Sequence, residues 1–240
     1  MKFILKLSYN GTAYHGWQKQ DNANSVQSMI ENALKIITGL AIDIVGCGRT
    51  DTGVHANCYF AHFEMEEWLE SELAYKLNSV LPSDIAIEYC ENIDDNFHAR
   101  FDAKSREYRY FIHSQKNPFL VNQSYFLSKT LDLQAMNKAC EILKEYDDFA
   151  SFCKKGADNK TTFCRLMQAK WERKNHQFVF TIKADRFLRN MVRAIVGAML
   201  DVGLGKLALD DFRQIIEAKN NQFSGTSVAA CGLYLWDVKY

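Results

Sequence analysis

Apolar and polar residues alternate from Phe3 to Tyr9, the two-residue period of a half-buried strand, and the run stops at the turn signal Asn10-Gly11. The period then changes. Ser25 is placed to cap a helix to Ile37 that carries Val26, Met29, Ile30, Ala33, Leu34 and Ile37 on one face as core, and Gly39 is its stop. A short β-branched strand, Ile42 to Val45, and an aromatic-rich one, Asn57 to Glu64, flank a glycine-rich loop at residues 46–56. Glu66 to Val80 reads as a second helix, and Leu81-Pro82-Ser83-Asp84 turns the chain into a strand from Ile85 to Tyr89. Strand, helix, strand, strand, helix, strand is the order of a ferredoxin-like unit.

The second half opens with a strand from Ser105 to His113, on which the two-residue period places Arg106, Tyr108, Tyr110 and Ile112 on one face. An amphipathic helix from Leu133 to Tyr146 follows, closed by Phe149-Ala150-Ser151-Phe152. A hairpin of Arg165 to Arg173 and Gln177 to Ala184 leads to a helix beginning near Phe187. A last helix, Leu209 to Lys219, precedes a closing strand, Gly232 to Tyr240. No Pro-rich or Ser-rich linker divides the chain, and the boundary is expected near residue 100, giving halves 1–100 and 101–240.

Composition adds constraints. At 240 residues, 48% hydrophobic and 24% charged, the chain can bury a sizeable core as one large domain or two small ones. The N-terminus lacks the pattern of a signal peptide, and the most apolar stretch, Phe187 to Leu200, is interrupted by Arg189 and Arg193. Seven cysteines without a C-x-x-C pair fit reduced thiols in a cytoplasmic protein. Six scattered histidines show no metal-ligand spacing, so neither a metal nor a nucleotide cofactor is inferred.

The formal charge is zero but unevenly spread. From Phe63 to Asn96 there are ten acidic residues against one lysine, and from Cys153 to Arg193 eleven basic residues against three acidic. One region can therefore meet a polyanion while another repels it, although each run also serves as a solvated face.

The candidate chemistry centres on Gly46-Cys47-Gly48-Arg49-Thr50-Asp51-Thr52-Gly53-Val54-His55-Ala56. Glycines let this loop bend sharply and hold Asp51 at a strand end, beside Arg49. Gly, Asp and Thr are also ordinary turn residues, so composition alone leaves a structural turn open. Arg186, Arg189 and Arg193, at i, i+3 and i+7, would share one stripe of the helix beginning near Phe187, suited to anionic partners through planar bidentate geometry. Lys154 and Lys155 lie in a basic, loop-like stretch suited to a polyanion.

Arg49-Thr50-Asp51-Thr52-Gly53-Val54-His55-Ala56 resembles the catalytic signature of the tRNA pseudouridine synthase A family. Tyr9 to Gln20, Phe97 to Ala103, Arg106 to Tyr110, Phe187 to Arg193 and the C-terminal strand are also similar to family elements. The sequence departs from the usual pattern at Asn10, Glu145 and Asp147, and at Ala229-Ala230-Cys231, which lacks a common proline. The resemblance implies an α+β pseudouridine synthase fold, with two ferredoxin-like halves whose antiparallel or mixed sheets flank a positively charged cleft. It implies a cofactor-independent isomerase acting on uridines 38–40 of the tRNA anticodon stem-loop, and a homodimer. It assigns Asp51 as the essential carboxylate, Arg193 as its partner, Tyr108 to the active site and Arg49 to the flipped-out substrate; Arg186, Arg189, Lys154 and Lys155, from their own charge and placement, are the expected RNA contacts. Two alternatives are weighed against it: a catalytically silent RNA-binding or RNA-folding protein of the same fold, and an aspartic protease suggested by Asp51-Thr52-Gly53. The polar Gly48-Arg49-Thr50 preceding that triplet disfavours the protease.

Overall fold

The N-terminal alternation becomes strand β1 (Lys2–Tyr9), with Phe3, Leu5, Leu7 and Tyr9 all buried. The computed structural model to which it belongs describes residues 1–66, 70–156, 159–220 and 227–240. The chain forms two units, Met1–Lys104 together with Tyr234–Tyr240, and Ser105–Leu233.

In the first unit, helix α1 (Val26–Thr38) starts where Ser25 Oγ accepts from Ser28 N and Ser28 Oγ accepts in return from Ser25 N, a reciprocal cap. It ends at Gly39, whose φ of +76° glycine adopts without steric cost. Val26, Ile30, Ala33 and Leu34 are buried as expected, and so are Gln27 and Glu31. The expected strand at Ile42 to Val45 is reduced to β2 (Val45–Gly46). The reason is local. Ile44 N donates to Glu31 Oε1 at 3.2 Å and Ile44 O accepts from Gln27 Nε2 at 3.0 Å, so side chains of α1 replace a neighbouring strand.

Strand β3 (His55–Glu64), helix α2 (Glu70–Val80) and strand β4 (Ile85–Ile93) complete the pattern. Part of the expected start of α2, residues 67–69, lies outside the described residues; Glu66 is not helical. Asn78 ties α2 to β4 with two 2.8 Å bonds, accepting from Ile87 N and donating to Ile87 O. β1 runs antiparallel between β3 and β4, and β2 pairs antiparallel with β3, so the order is β4-β1-β3-β2, the ferredoxin-like arrangement.

The second unit contains strands β5 (Ser105–His113) and β6 (Tyr125–Phe126), helix α3 (Leu133–Leu143) and the hairpin of β7 (Leu166–Lys174) and β8 (Gln177–Ala184). Helices α4 (Met191–Gly203) and α5 (Leu209–Glu217) follow. β8 is antiparallel to both β5 and β7, while β6 lies parallel to β5. Trp171 and Phe180 stack at 5.0 Å within a core that also takes in Phe149, Phe152, Met199 and Phe212.

Strand β9 (Leu233–Lys239) brings the C-terminus back to the first unit, pairing in parallel with β3 through His55↔Tyr234 and Ala56↔Leu235. The architecture is α+β with a mixed sheet and five α-helices among the described residues. None of those helices is long and apolar enough to cross a membrane.

Candidate active site

The loop that carries Asp51 is held by the segment after β1. Tyr9 Oη and Thr50 Oγ1 are 2.8 Å apart, Trp17 N donates to Thr50 O, and Gly53 N donates to Tyr14 O. The loop also closes on itself, since Val54 N donates to Asp51 O at 3.1 Å, and β3 holds it as well, Tyr59 Oη donating to Gly48 O. Glycine is required by close approach. A Cβ on Gly11 would stand 2.0 Å from Val54 O, and one on Gly16 2.3 Å from Thr50 O. The stretch from Tyr9 to Gln20, similar to a family element, therefore includes the clamp of the Asp51 loop.

His55 continues the clamp into β3. Its Nδ1 accepts from Gly11 N at 3.0 Å, which leaves the proton of the neutral ring on Nε2, and its face stacks on Tyr234 at 4.5 Å. Asp51 is half-buried and the neighbouring Thr52 exposed. Arg49 is exposed, and its Nε donates to Gln18 Oε1 at 3.2 Å. Gln18 falls within the Tyr9 to Gln20 motif, but the sequence gives it no role toward Arg49, and Gln27 and Glu31 are not among the expected site residues. The available signal was Gln27 and Glu31, four residues apart on α1 beside the apolar stripe.

The remaining candidate residues belong to the second unit. On β5, Tyr110 is fully buried, its Oη donates to Ala229 O at 2.8 Å, and burial pushes its phenol well above the usual range. Tyr108, two residues away on the same face, is only half-buried and meets Phe187 edge-on at 5.0 Å. Of the two tyrosines that periodicity could not separate, Tyr110 is the packing residue. Arg106 Nη1 donates to Asp185 O at 3.0 Å, and Asp185 Oδ1 accepts from Arg165 N and Arg186 N.

The arginine stripe requires correction. α4 begins at Met191, and Asn190 before it has φ +65° and ψ 0°, a left-handed conformation that asparagine tolerates. Arg186 and Arg189 therefore precede the helix, and only Arg193 lies on it. Arg189 is exposed, and its carbonyl accepts from Lys154 N at 3.0 Å, so the exposed Lys154 and Lys155 adjoin Arg189 through the backbone. Arg186 Nη1 donates to Thr161 O at 3.3 Å. Arg193 Nε donates to Val228 O at 2.8 Å and Arg193 O accepts from Val228 N, while Asn190 Nδ2 donates to Ser227 Oγ at 2.6 Å. Residues 227–228 thus clasp the first turn of α4. Ala229 next to them holds φ −55°, within the range of a proline ring, although no proline stands there.

The family described as tRNA pseudouridine synthase matches residues 7–102 and 142–240. The chain belongs to this family. Among its relatives, the tRNA pseudouridine synthase A of Azobacteroides pseudotrichonymphae is 48% identical over 240 residues, covering 100% of this chain and 96% of the relative. That of Parabacteroides distasonis is 48% identical over 241 residues with the same coverage, and that of Acetivibrio thermocellus is 40% identical over 239 residues, covering 98% of each chain. The family matches include the Asp51 loop, its clamp and the Arg193 helix, whereas Tyr108 falls between the two matched stretches.

Proposed function

We propose that this chain isomerises uridine to pseudouridine in tRNA, at positions 38–40 of the anticodon stem-loop, with Asp51 as the essential carboxylate. One observation carries the reading: Asp51 stands on a loop clamped from both flanks in a chain of the tRNA pseudouridine synthase family. The reaction breaks the bond from uracil N1 to ribose C1′, turns the base, and joins its C5 to C1′. A proton leaves C5 and N1 regains one, so atoms and electrons balance without an oxidant or a transferred group. A carboxylate at the sugar and base can act as nucleophile or base.

A stacked uridine must first be flipped out, at a cost of a few kcal/mol that contacts along the RNA backbone offset. Arg49 serves the flipped nucleotide, and Arg186, Arg189, Lys154 and Lys155 bind phosphates. Tyr108, less buried than Tyr110, stacks on the base or assists removal of the C5 proton. Arg193 partners Asp51 as its cation. The enzyme works as a homodimer in the cytoplasm, without metal or cofactor.

The test is tritium release from tRNA transcripts labelled at uridine C5. Wild type should release tritium from transcripts with uridine at 38, 39 or 40, and Asp51→Asn should fall by at least about 10²-fold. Equal release by both would remove Asp51 from the mechanism. A folded wild type that binds tRNA and releases nothing would establish the RNA-binding alternative.

A further inference from the structure

A chain of side chains in the first unit runs from the interior of α1 to Arg49. Glu31 is 7% exposed and Gln27 8%. Glu31 Oε1 accepts from Gln27 Nε2 at 2.9 Å, and Glu31 Oε2 lies 2.8 Å from Lys19 Nζ. Gln27 Oε1 accepts from Gln18 Nε2 at 2.8 Å and from Lys19 N at 3.0 Å, while Gln27 Nε2 also donates to Ile44 O. Gln18 Oε1 then accepts from Arg49 Nε at 3.2 Å.

The ends of this chain dictate its sense. A carboxylate only accepts and a guanidinium only donates, so each amide between them has a single workable orientation. Turning Gln27 over would set its oxygen against Glu31 Oε1 and Ile44 O, and its NH₂ against Lys19 N–H and the Gln18 amide. Turning Gln18 over would set its NH₂ against Arg49 Nε–H. The Gln27 amide, with four partners and little access to solvent, is costly to leave unsatisfied and is held in place.

We infer that Gln18, oriented by Gln27 and the buried Glu31, is a positioning residue that aims the Arg49 guanidinium at the RNA. This rests on the reading of Arg49 as an RNA contact. Anchoring Nε fixes the plane of the guanidinium and hence the direction of its Nη1/Nη2 edge, which grips a phosphate in bidentate fashion. Ile44 belongs to the same network and leads through β2 into the Asp51 loop, so one set of bonds ties α1 to both the arginine and its loop.

Two measurements on wild type, Gln18→Met, Arg49→Met and the double variant decide the matter. Gln18 is only half-buried, and Met keeps its length while removing the amide. Gln18→Met should lower kcat/KM for tRNA by about 3- to 10-fold, the range set by ordering one long side chain on binding. The effect should fall on KM more than on kcat, and in the Arg49→Met background the same substitution should change kcat/KM by less than about 2-fold. Exchange of the Arg49 Nε–H, followed by NMR and assigned by its absence in Arg49→Met, should be faster in Gln18→Met. An undiminished Gln18→Met effect in the Arg49→Met background, or unchanged Nε–H exchange, overturns the inference. A wild type that forms no pseudouridine overturns the functional reading instead, while the exchange measurement still reports whether Gln18 holds Arg49.

Discussion

His62 sits beneath the turn at residues 97–102, where its Nδ1 accepts from Ala99 N at 3.1 Å and its ring meets His98 edge-on at 4.9 Å. Burial, followed by the nearby His98 and Lys2, pulls its pKa down to about 4. In the unfolded chain the same ring titrates near 6.5, so below that pH the unfolded state binds a proton that the folded state refuses. The stability gained from keeping His62 neutral is complete above pH 6.5 and is lost as pH falls toward 4. Roughly 2 kcal/mol should go between pH 7 and pH 5. Urea unfolding at the two pH values measures this, and His62→Gln, which keeps an acceptor for Ala99 N, should flatten the dependence. An equally steep loss in His62→Gln would assign the effect to other groups. Sequence presented His62 as one of six scattered histidines, because burial depends on what the fold packs around a residue. Alternation alone did not separate Tyr108 from Tyr110, since it gives a face and not a depth; only the resemblance singled out Tyr108.

Among the elements, Gly16 of the clamp stands against Gly39, the stop of α1. Gly16 and Gly39 both have positive φ, +92° and +76°, but a Cβ on Gly16 meets Thr50 O at 2.3 Å, whereas one on Gly39 meets nothing within 4 Å. Gly39→Ala should cost about 1 kcal/mol, the price of the left-handed conformation, and leave tritium release unchanged. Gly16→Ala adds a clash with backbone that cannot step aside; it should cost roughly 3 kcal/mol or more and displace the Asp51 loop, with release falling accordingly. Urea midpoints and tritium release on both variants check this, and equal costs would show that the approach at Gly16 is easily relaxed. The cap and stop of α1 were legible because Ser25, the apolar stripe and Gly39 agree with the packed structure, whereas α3 and α5 end at Leu143 and Glu217, short of the expected Tyr146 and Lys219. The clamp was not legible, because the neighbour a glycine approaches is a tertiary fact. The arginine spacing at 186, 189 and 193 matched a helix, yet Asn190 took the left-handed conformation and delayed the helix to Met191.

On the scale of the whole molecule, the chain leaves the first unit after Lys104 and re-enters it at Tyr234. β9 then lies along β3 immediately after the Asp51 loop, with Tyr234 stacked on His55 and Asn57 Nδ2 donating to Trp236 O at 3.3 Å. Deleting Tyr234–Tyr240 removes none of the residues named for catalysis or RNA contact. It should nonetheless cut tritium release by about 10-fold or more, through loss of the His55 stack and the parallel pairing that support the loop. Hydrogen exchange at Gly53 and Val54, faster in the truncated protein, would locate the damage. Full activity after truncation would show that the clamp from Tyr9 to Trp17 suffices. The strand itself was readable from Gly232 to Tyr240, and the charge asymmetry from simple counting. The unit to which β9 returns was not, because chain order carries no information about which edge a final strand will join.

That return also sets a timetable for biosynthesis. About 180 residues separate His55 from Tyr234, so at ribosomal rates roughly 10 to 35 s pass between the making of the loop and the making of the strand beside it. Throughout that interval the nascent polypeptide carries the Asp51 loop without the strand that pairs beside it, so His55 waits for its stacking partner Tyr234 until β9 has been made.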